Sequence, residues 1–264
     1  DPDLWDANAT IFTIHNNEIF FYVSDTNLTG DVFTTVAGNS SNNGQTPATP
    51  KDSIQDILDA YNLEPGDKIF VDTGRYSLSN AITAISSDDA GSVGNPVVIQ
   101  GSTNAVAGGA VLERGNSTGP VLLVNGANYL KIRDLTVKAG QDGIQVGSAT
   151  GIELQRIVAV DNTRHGFYSS SSSYLSLQQC VSARNQYGAY AAGNSMSFEN
   201  CVLWQNSAAG TYVASGTLSA SNSILRQASG PAYAGSLGNI LGDYSLFDFA
   251  AGATVAGGSY SSLA

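Results

Sequence analysis

The feature that most constrains the fold is a short apolar motif that returns about every 22 residues through the middle of the chain. In each copy an apolar residue is followed two positions later by another apolar or small residue, as in a strand with one buried face. The leading residues of five copies lie 22, 23, 21 and 22 positions apart. They are Leu130, Ile152, Leu175, Met196 and Leu218. This regularity predicts a solenoid of stacked repeats.

Two further segments complete each repeat. A second short strand follows the motif directly, and a glycine such as Gly143, Gly166 or Gly188 then leads into a third. Three short strands and three turns fit one coil of a parallel β-helix, because successive coils must stack at the strand spacing of about 4.8 Å. A leucine-rich repeat has a similar length, but its leucine ladder and consensus asparagine are absent. The predicted fold is all-β, a single-stranded right-handed parallel β-helix.

Stacking places equivalent residues of successive coils above one another. Asparagine recurs at one turn as residues 162, 185 and 206, and at another as residues 200 and 222. Because asparagine tolerates left-handed backbone and its amide can bond to the next coil, both series are predicted to be structural ladders. Cys180 and Cys201 are also equivalent, with parallel Cβ vectors that do not suit a disulfide. Two stacked, buried free thiols are expected.

Composition narrows the function. The net charge of −11 and pI near 4.3 disfavour binding to nucleic acid and to anionic lipid surfaces. No apolar run approaches the roughly 20 residues that cross a bilayer. We expect a secreted, extracellular or cell-surface protein without membrane insertion.

The predicted β-helix needs a cap at its N-terminal end, because the first coil would otherwise expose apolar core. Residues 49–61 predict a capping helix, with Thr49 as N-cap and Pro50 in the first helical position. We therefore divide the chain into residues 1–48, a hairpin or strand with a polar loop, and residues 49–264, the β-helix. The apolar stripe of the helix comprises Ile54, Ile57, Leu58 and Tyr61.

The opening segment resembles the N-terminal cap and first coil of bacterial pectate-lyase-like right-handed β-helix proteins. The resemblance extends over about residues 21–247 and implies an extracellular protein that meets polysaccharide. In such relatives the polar loop is often richer in aspartate, whereas Ser40 and Asn43 stand here instead. No cofactor is predicted to be required, and the candidate calcium site is the loop with Asp25, Asp31 and Asn39. The residues that carry the resemblance are Phe21-Tyr22-Val23-Ser24, Gly38-Asn39-Ser40-Ser41-Asn42-Asn43-Gly44, Thr49-Pro50 and Pro65-Gly66-Asp67 through Gly74-Arg75-Tyr76.

The ends of the chain suggest a larger parent. Residues 1–7 resemble the closing residues of such a module, and residues 242–247 resemble a late segment that normally continues further. We therefore expect one unit of a longer extracellular protein. Residues 10–23 predict a hairpin around Asn16-Asn17 or an edge strand that pairs with a neighbour.

One group of polar residues resembles a catalytic site. Aligned on the glycine, Asp142 and His165 stack in one column with Arg164 beside them, and Asp161 stacks with Arg184. These five residues could place an acid, a base and a cation along a sugar chain. The alternative is a surface ladder with a weak ion pair across coils. Neither paired aspartates nor an Asp-Pro-His motif is present in the coils, so enzymatic activity is left open.

Aromatic residues repeat from coil to coil and provide candidate sugar contacts. The predicted substrate-binding residues are Tyr168, Tyr187, Tyr190, Trp204 and Tyr212, although some could be core or turn filler. The preferred function is polysaccharide or cell-surface glycan recognition in adhesion. The alternatives are a polysaccharide lyase or glycoside hydrolase acting on an acidic glycan, and a structural fibre that self-associates end to end through its N-terminal strand and open ends.

Overall fold

The computed structural model describes residues 18–85, 88–115, 118–170, 174–192, 195–226, 233–235, 240–243, 245–247 and 260–262. In these residues the chain winds into a parallel β-helix whose three faces are long sheets, here called A, B and C. Each coil contributes one strand to each sheet in turn, and neighbouring strands within a sheet run parallel. The predicted fold class is confirmed.

Strands are numbered β1 to β25 in chain order. In spatial order, sheet A contains β1 (Phe20–Val23), β2 (Lys68–Val71), β5 (Val97–Gly101), β8 (Leu130–Arg133), β11 (Ile152–Gln155), β14 (Leu175–Gln178), β17 (Met196–Glu199), β20 (Leu218–Ser221) and β23 (Ile240–Asp243). Sheet B contains β3 (Gly74–Ser77), β6 (Ala110–Glu113), β9 (Leu135–Lys138), β12 (Val158–Val160), β15 (Val181–Ala183), β18 (Val202–Trp204), β21 (Ile224–Arg226), β24 (Ser245–Phe247) and β25 (Tyr260–Ser262). Sheet C contains β4 (Ile82–Ile85), β7 (Leu122–Asn125), β10 (Asp142–Gly147), β13 (His165–Ser170), β16 (Tyr187–Ala192), β19 (Ala209–Ser215) and β22 (Tyr233–Gly235). A short 3-10 turn covers Ala105–Ala107.

The core is a set of apolar columns. In sheet A, Ile152 pairs with Leu175, Leu175 with Met196, and Met196 with Leu218. Their exposure is 1% or less, as is that of Leu130. The period of two along each strand turns these side chains inward, and the period of about 22 residues stacks them. The columns predicted by the repeat are therefore confirmed.

The buried asparagine ladder holds the turn between sheets B and C. The Asn162 backbone N–H donates to Asn185 Oδ1 at 2.9 Å, and the Asn185 N–H donates to Asn206 Oδ1 at 3.1 Å. Each side chain therefore bonds to the neighbouring coil, as predicted. The left-handed residue is the one before the asparagine, since Asp161 and Arg184 both have φ of 56°.

A second turn, between sheets A and B, uses asparagine in the left-handed conformation itself. Asn200 and Asn222 have φ of 55° and 46°, and the Asn222 amide donates to Asn200 Oδ1. This ladder agrees with the prediction in both position and conformation. Cys180 and Cys201 follow that turn as stacked free thiols, each 1% exposed.

The glycines that open the sheet C strands are required by close approach between coils. A Cβ on Gly166 would lie 2.0 Å from Ser182 Oγ and 2.7 Å from the carbonyl oxygen of Gly188 in the next coil. A Cβ on Gly143 or Gly188 would likewise lie 2.6 or 2.4 Å from the carbonyl oxygen of the following glycine in the column. No side chain fits at these positions without moving backbone.

The capping helix is shorter than predicted. Helix α1 spans Ile54–Ala60, and its N-cap is Ser53, whose hydroxyl accepts a hydrogen bond from the Asp56 N–H. Thr49 and Pro50 precede the helix, because the Lys51 backbone is held extended by hydrogen bonds to the strand β1. Ile54, Ile57 and Leu58 are buried against the first coil, so the capping role stands while the predicted start at residue 49 was wrong.

Strand β1 belongs to the solenoid. It pairs in parallel with β2, so the predicted boundary at residue 48 does not separate two structural units. Its outer edge is covered at residues 22–24, where the Tyr22 N–H donates to Gly44 O, Lys51 N–H to Tyr22 O, and Ser24 N–H to Lys51 O. Those groups are unavailable to a neighbouring strand. Residues 1–17, including the predicted turn at Asn16-Asn17, lie outside the described residues.

Candidate functional site

The outer surface of sheet C carries a cluster of partly exposed tyrosines. Tyr168 on β13, Tyr190 on β16 and Tyr212 on β19 are register partners in three successive coils. Their strand neighbours alternate inward, so Phe167 is buried while Tyr168 is not. Tyr187 joins them at the start of β16. We call Tyr168, Tyr187, Tyr190 and Tyr212 the tyrosine face; four of the five predicted sugar contacts therefore lie together.

The rings contact one another in two ways. Tyr190 and Tyr212 stack with centroids 4.6 Å apart and planes 17° apart. Tyr187 stands nearly perpendicular to Tyr190, at 85° and 5.6 Å, and at 71° to Tyr212. Tyr190 and Tyr212 cover one face of each other, and each residue of the cluster carries both an aromatic ring and a phenol hydroxyl with which to contact a partner. Burial raises the pKa of Tyr190.

Asp142 and His165 form a buried pair behind the tyrosine face. His165 Nδ1 lies 2.7 Å from Asp142 Oδ1, and each side chain is only 2% exposed. The imidazole stacks on Tyr168 at 5.0 Å and contacts Tyr190 at 4.7 Å and Tyr187 at 5.6 Å. Both residues were predicted as catalytic. In this conformation both side chains are buried and neither is open to a sugar.

The other predicted catalytic residues lie at the adjoining turn. Arg184 binds Asp161 through two hydrogen bonds of 2.7 and 2.8 Å, and the pair is well exposed. Hydrogen bonding to Arg184 lowers the pKa of Asp161. An exposed pair of this kind adds little stability. Arg164 is exposed, its backbone carbonyl accepts from the Tyr187 N–H at 2.8 Å, and none of the ion pairs within the described part of the chain includes it.

Trp204 lies on another face of the solenoid. It is on β18 in sheet B, where the Arg226 guanidinium stands 5.0 Å from the centre of its ring. Its exposure is 37%, so it remains accessible, but it cannot share one flat surface with the tyrosines of sheet C. Sequence periodicity did not separate the two faces because strands in sheets B and C both alternate inward and outward.

The loop proposed for calcium is organised by hydrogen bonds. Asp25 accepts from the Asn27 and Arg75 N–H groups, and the Asn39 amide oxygen accepts from Ser41 N–H. Asp31 Oδ1 is buried without a hydrogen-bond partner, and burial, with the charge of Asp72 next, raises its pKa. Across the described residues, no group of three or more His, Cys, Asp or Glu side chains is arranged to hold a metal. Calcium binding by this loop therefore stays a prediction.

Asp72 is a residue that the sequence did not single out. It is fully buried, and its carboxylate accepts backbone hydrogen bonds from Val32, Phe33 and Thr34 at 2.7 to 2.8 Å. It therefore fastens the N-terminal loop to the first coil. The only sequence signal was an aspartate at the end of a buried strand.

The protein is a β-solenoid in which outward-facing side chains repeat from coil to coil along one sheet. The chain belongs to the right-handed β-helix family, whose family model, described as a right handed beta helix region, matches residues 73–225. No curated protein matches the sequence. In the described residues, no helix is long and apolar enough to cross a membrane.

Solved structures share this fold at low identity. The pectate lyase Pel9A has a TM-score of 0.64 and 16% identity, over 94% of this chain and 78% of its own. A rhamnogalacturonan lyase has a TM-score of 0.64 and 13% identity, over 88% of this chain and 69% of its own. An alginate lyase from Paenibacillus sp. str. FPU-7 has a TM-score of 0.52 and 15% identity, over 79% of this chain and 91% of its own. At such identities the likeness is one of fold.

Proposed function

We propose that the chain recognises a polysaccharide through the tyrosine face of sheet C. The observation that carries the proposal is the register of Tyr168, Tyr190 and Tyr212, which repeats a partly exposed phenol in three successive coils. A polymer with a short chemical repeat can contact such a column at several points at once. Aromatic rings with hydroxyl groups suit sugars, which present both C–H faces and hydroxyls.

The proposed glycan lies along sheet C, with Arg164 at its margin. Arg164, whose backbone bonds to that of Tyr187, adds an exposed cation next to the face and so a contact for an acidic sugar as well as for neutral ones. The structural relatives named as pectate, rhamnogalacturonan and alginate lyases support a carbohydrate partner for this fold. We place the protein outside the cell or at a bacterial cell surface, in adhesion and as a module of a larger protein; the complete gene would test that placement.

Affinity electrophoresis against a panel of acidic and neutral polysaccharides tests the proposal. At least one glycan should retard the protein, and Tyr190→Ala should weaken that binding by about tenfold, equivalent to about 1.4 kcal/mol. Tyr174→Ala is the matched control, because Tyr174 is 54% exposed and makes no ring contact with the other described aromatics. A panel that leaves the wild type unretarded would exclude this function, and equal loss in both variants would exclude the face.

A polysaccharide lyase or glycoside hydrolase is the second candidate, favoured by the exposed Arg164 beside the tyrosines and by the lyase folds of the relatives. Absorbance of unsaturated uronates and a reducing-sugar assay, run on the same panel, would detect either activity. Loss of that activity in Arg164→Ala, with binding retained, would assign a catalytic function to the face.

The fibre alternative requires a free strand edge or complementary ends. Hydrogen bonds from residues 44–51 already occupy Tyr22 in β1 and Ser24 just after it, which weighs against strand addition there. Concentration-dependent polymers in analytical ultracentrifugation would nevertheless favour a fibre, whereas a single concentration-independent species would leave glycan recognition as the better proposal.

A further inference from the structure

We propose that Asp142 and His165 are positioning residues that hold the tyrosine face in its binding arrangement. This inference rests on the proposed function and gives the pair a role other than catalysis. Two buried ionisable side chains at the outer wall of a solenoid are costly to place there, because each loses its hydration. The approach of Asp142 Oδ1 to His165 Nδ1, at 2.7 Å, offsets that cost, and the same oxygen accepts from the His165 backbone N–H at 3.3 Å. Together these two contacts hold the imidazole against Asp142.

The position of the pair follows from the glycine column. Gly143 and Gly166 leave no room for a Cβ, since it would meet the carbonyl oxygen of the next coil at 2.6 or 2.7 Å. Asp142 and His165 immediately precede these glycines and are register partners across β10 and β13. The same local geometry therefore brings the carboxylate beneath the imidazole in consecutive coils.

The imidazole is the shared contact of the tyrosine rings. Its centroid lies 4.7 to 5.6 Å from Tyr168, Tyr187 and Tyr190, which belong to two different coils. Tyr212 is reached through Tyr190, on which it stacks. If the His165 imidazole were free to rotate, these tyrosines could adopt alternative rotamers. An imidazole held in place by Asp142 prevents this. The pair thereby reduces the rotamer freedom that the tyrosines would otherwise lose on binding glycan.

Substitution of Asp142 tests this role. Asp142→Ala removes the carboxylate that lies 2.7 Å from His165 Nδ1 and accepts from the His165 backbone N–H at 3.3 Å, and it should weaken binding of the retarding polysaccharide by about tenfold. Asp142→Asn keeps an oxygen at that position and should restore affinity to within about threefold of wild type. Glu153→Ala is the matched control, because it breaks the ion pair of Glu153 with Lys131 between neighbouring coils on sheet A, away from the tyrosine face. It should leave affinity unchanged.

A second measurement separates this inference from the proposed function. Near-ultraviolet circular dichroism and ¹³C spectra of labelled tyrosines report ring order without any glycan. Asp142→Ala should reduce the dichroism and broaden the tyrosine-face signals, with Asp142→Asn again close to wild type. If Asp142→Ala does not fold, Asp142→Leu/His165→Phe, which leaves no ionisable side chain at the two positions, takes its place. Unchanged spectra and unchanged affinity would overturn the positioning role; unchanged affinity alone, with altered spectra, would show that ring order does not serve binding. If no glycan binds wild type, the spectra still decide the positioning of the rings.

Discussion

Replacing Gly166 with alanine should destabilise the solenoid far more than the same change at Gly147. A Cβ at Gly166 would lie 2.0 Å from Ser182 Oγ, 2.7 Å from Gly188 O and 2.9 Å from Asn185 Nδ2. At Gly147 the nearest atoms are Ser170 Oγ at 3.3 Å and Val124 O at 3.9 Å. Neither glycine has positive φ, so the two substitutions differ in available space rather than in backbone strain.

The magnitude follows from what must move. Ser182 Oγ donates to Gly188 O at 2.7 Å and accepts from Asn185 Nδ2 at 3.0 Å, and both bonds are buried. Losing them costs about 1 kcal/mol each, and overpacking adds about 1 to 3 kcal/mol. The entropic gain of replacing glycine offsets about 0.4 to 1 kcal/mol. The expected net loss for Gly166→Ala is about 3 kcal/mol, against a change within about 0.5 kcal/mol for Gly147→Ala.

Urea denaturation followed by far-ultraviolet circular dichroism measures this difference. At roughly 2 to 4 °C per kcal/mol for a chain of this size, calorimetry should also show Tm lower by about 6 to 12 °C in Gly166→Ala. Equal stability of the two variants would refute the close stacking of coils at the sheet C glycines, since nothing else in the sequence distinguishes these positions so sharply.

Three further outcomes are expected. Cys180 and Cys201 should react with Ellman's reagent only when the protein is unfolded, because both are buried and burial raises the pKa of the Cys180 thiol. Rapid reaction of the native protein would contradict their burial. Asp31→Asn should raise Tm at pH 7, because the pKa of Asp31 is raised in the folded state and the ionised carboxylate therefore lowers stability above that pKa. The gain in Tm should shrink as pH falls toward about 4. A gain in Tm that does not depend on pH would be inconsistent with this cause. Calcium should raise Tm no more than magnesium does, because Asp31 Oδ1 is the one oxygen of the predicted loop ligands Asp25, Asp31 and Asn39 that is buried without a partner; a saturable calcium effect that is lost in Asp31→Asn would instead support the calcium site.

The coil architecture could be predicted because a solenoid repeats its constraints. The apolar columns, the two asparagine ladders and the stacked thiols all depend on equal spacing, which is visible in one dimension. The same spacing predicted that Asp142 stacks with His165 and Asp161 with Arg184. Each of these contacts joins equivalent positions of two adjacent coils, so the spacing of the repeat is enough to predict it.

The start of the helix and the environment of the site were not predictable in the same way. Pro50 is favourable at the first position of a helix, but the backbone of Lys51 pairs with β1. The helix therefore begins at Ile54. Burial of Asp142 and His165 depends on tyrosines from neighbouring coils that close over them, which no pattern within one strand reports. The placement of Trp204 on sheet B depends on which turn each strand follows.

Glycan titration of ¹³C-tyrosine-labelled protein, followed by nuclear magnetic resonance, tests the proposed recognition most directly. With a polysaccharide fragment that binds, the signals of Tyr168, Tyr187, Tyr190 and Tyr212 should shift together along one saturation curve, while Tyr22 and Tyr129 stay in place. Saturable binding that leaves those four signals unmoved would contradict the assignment of the sheet C surface.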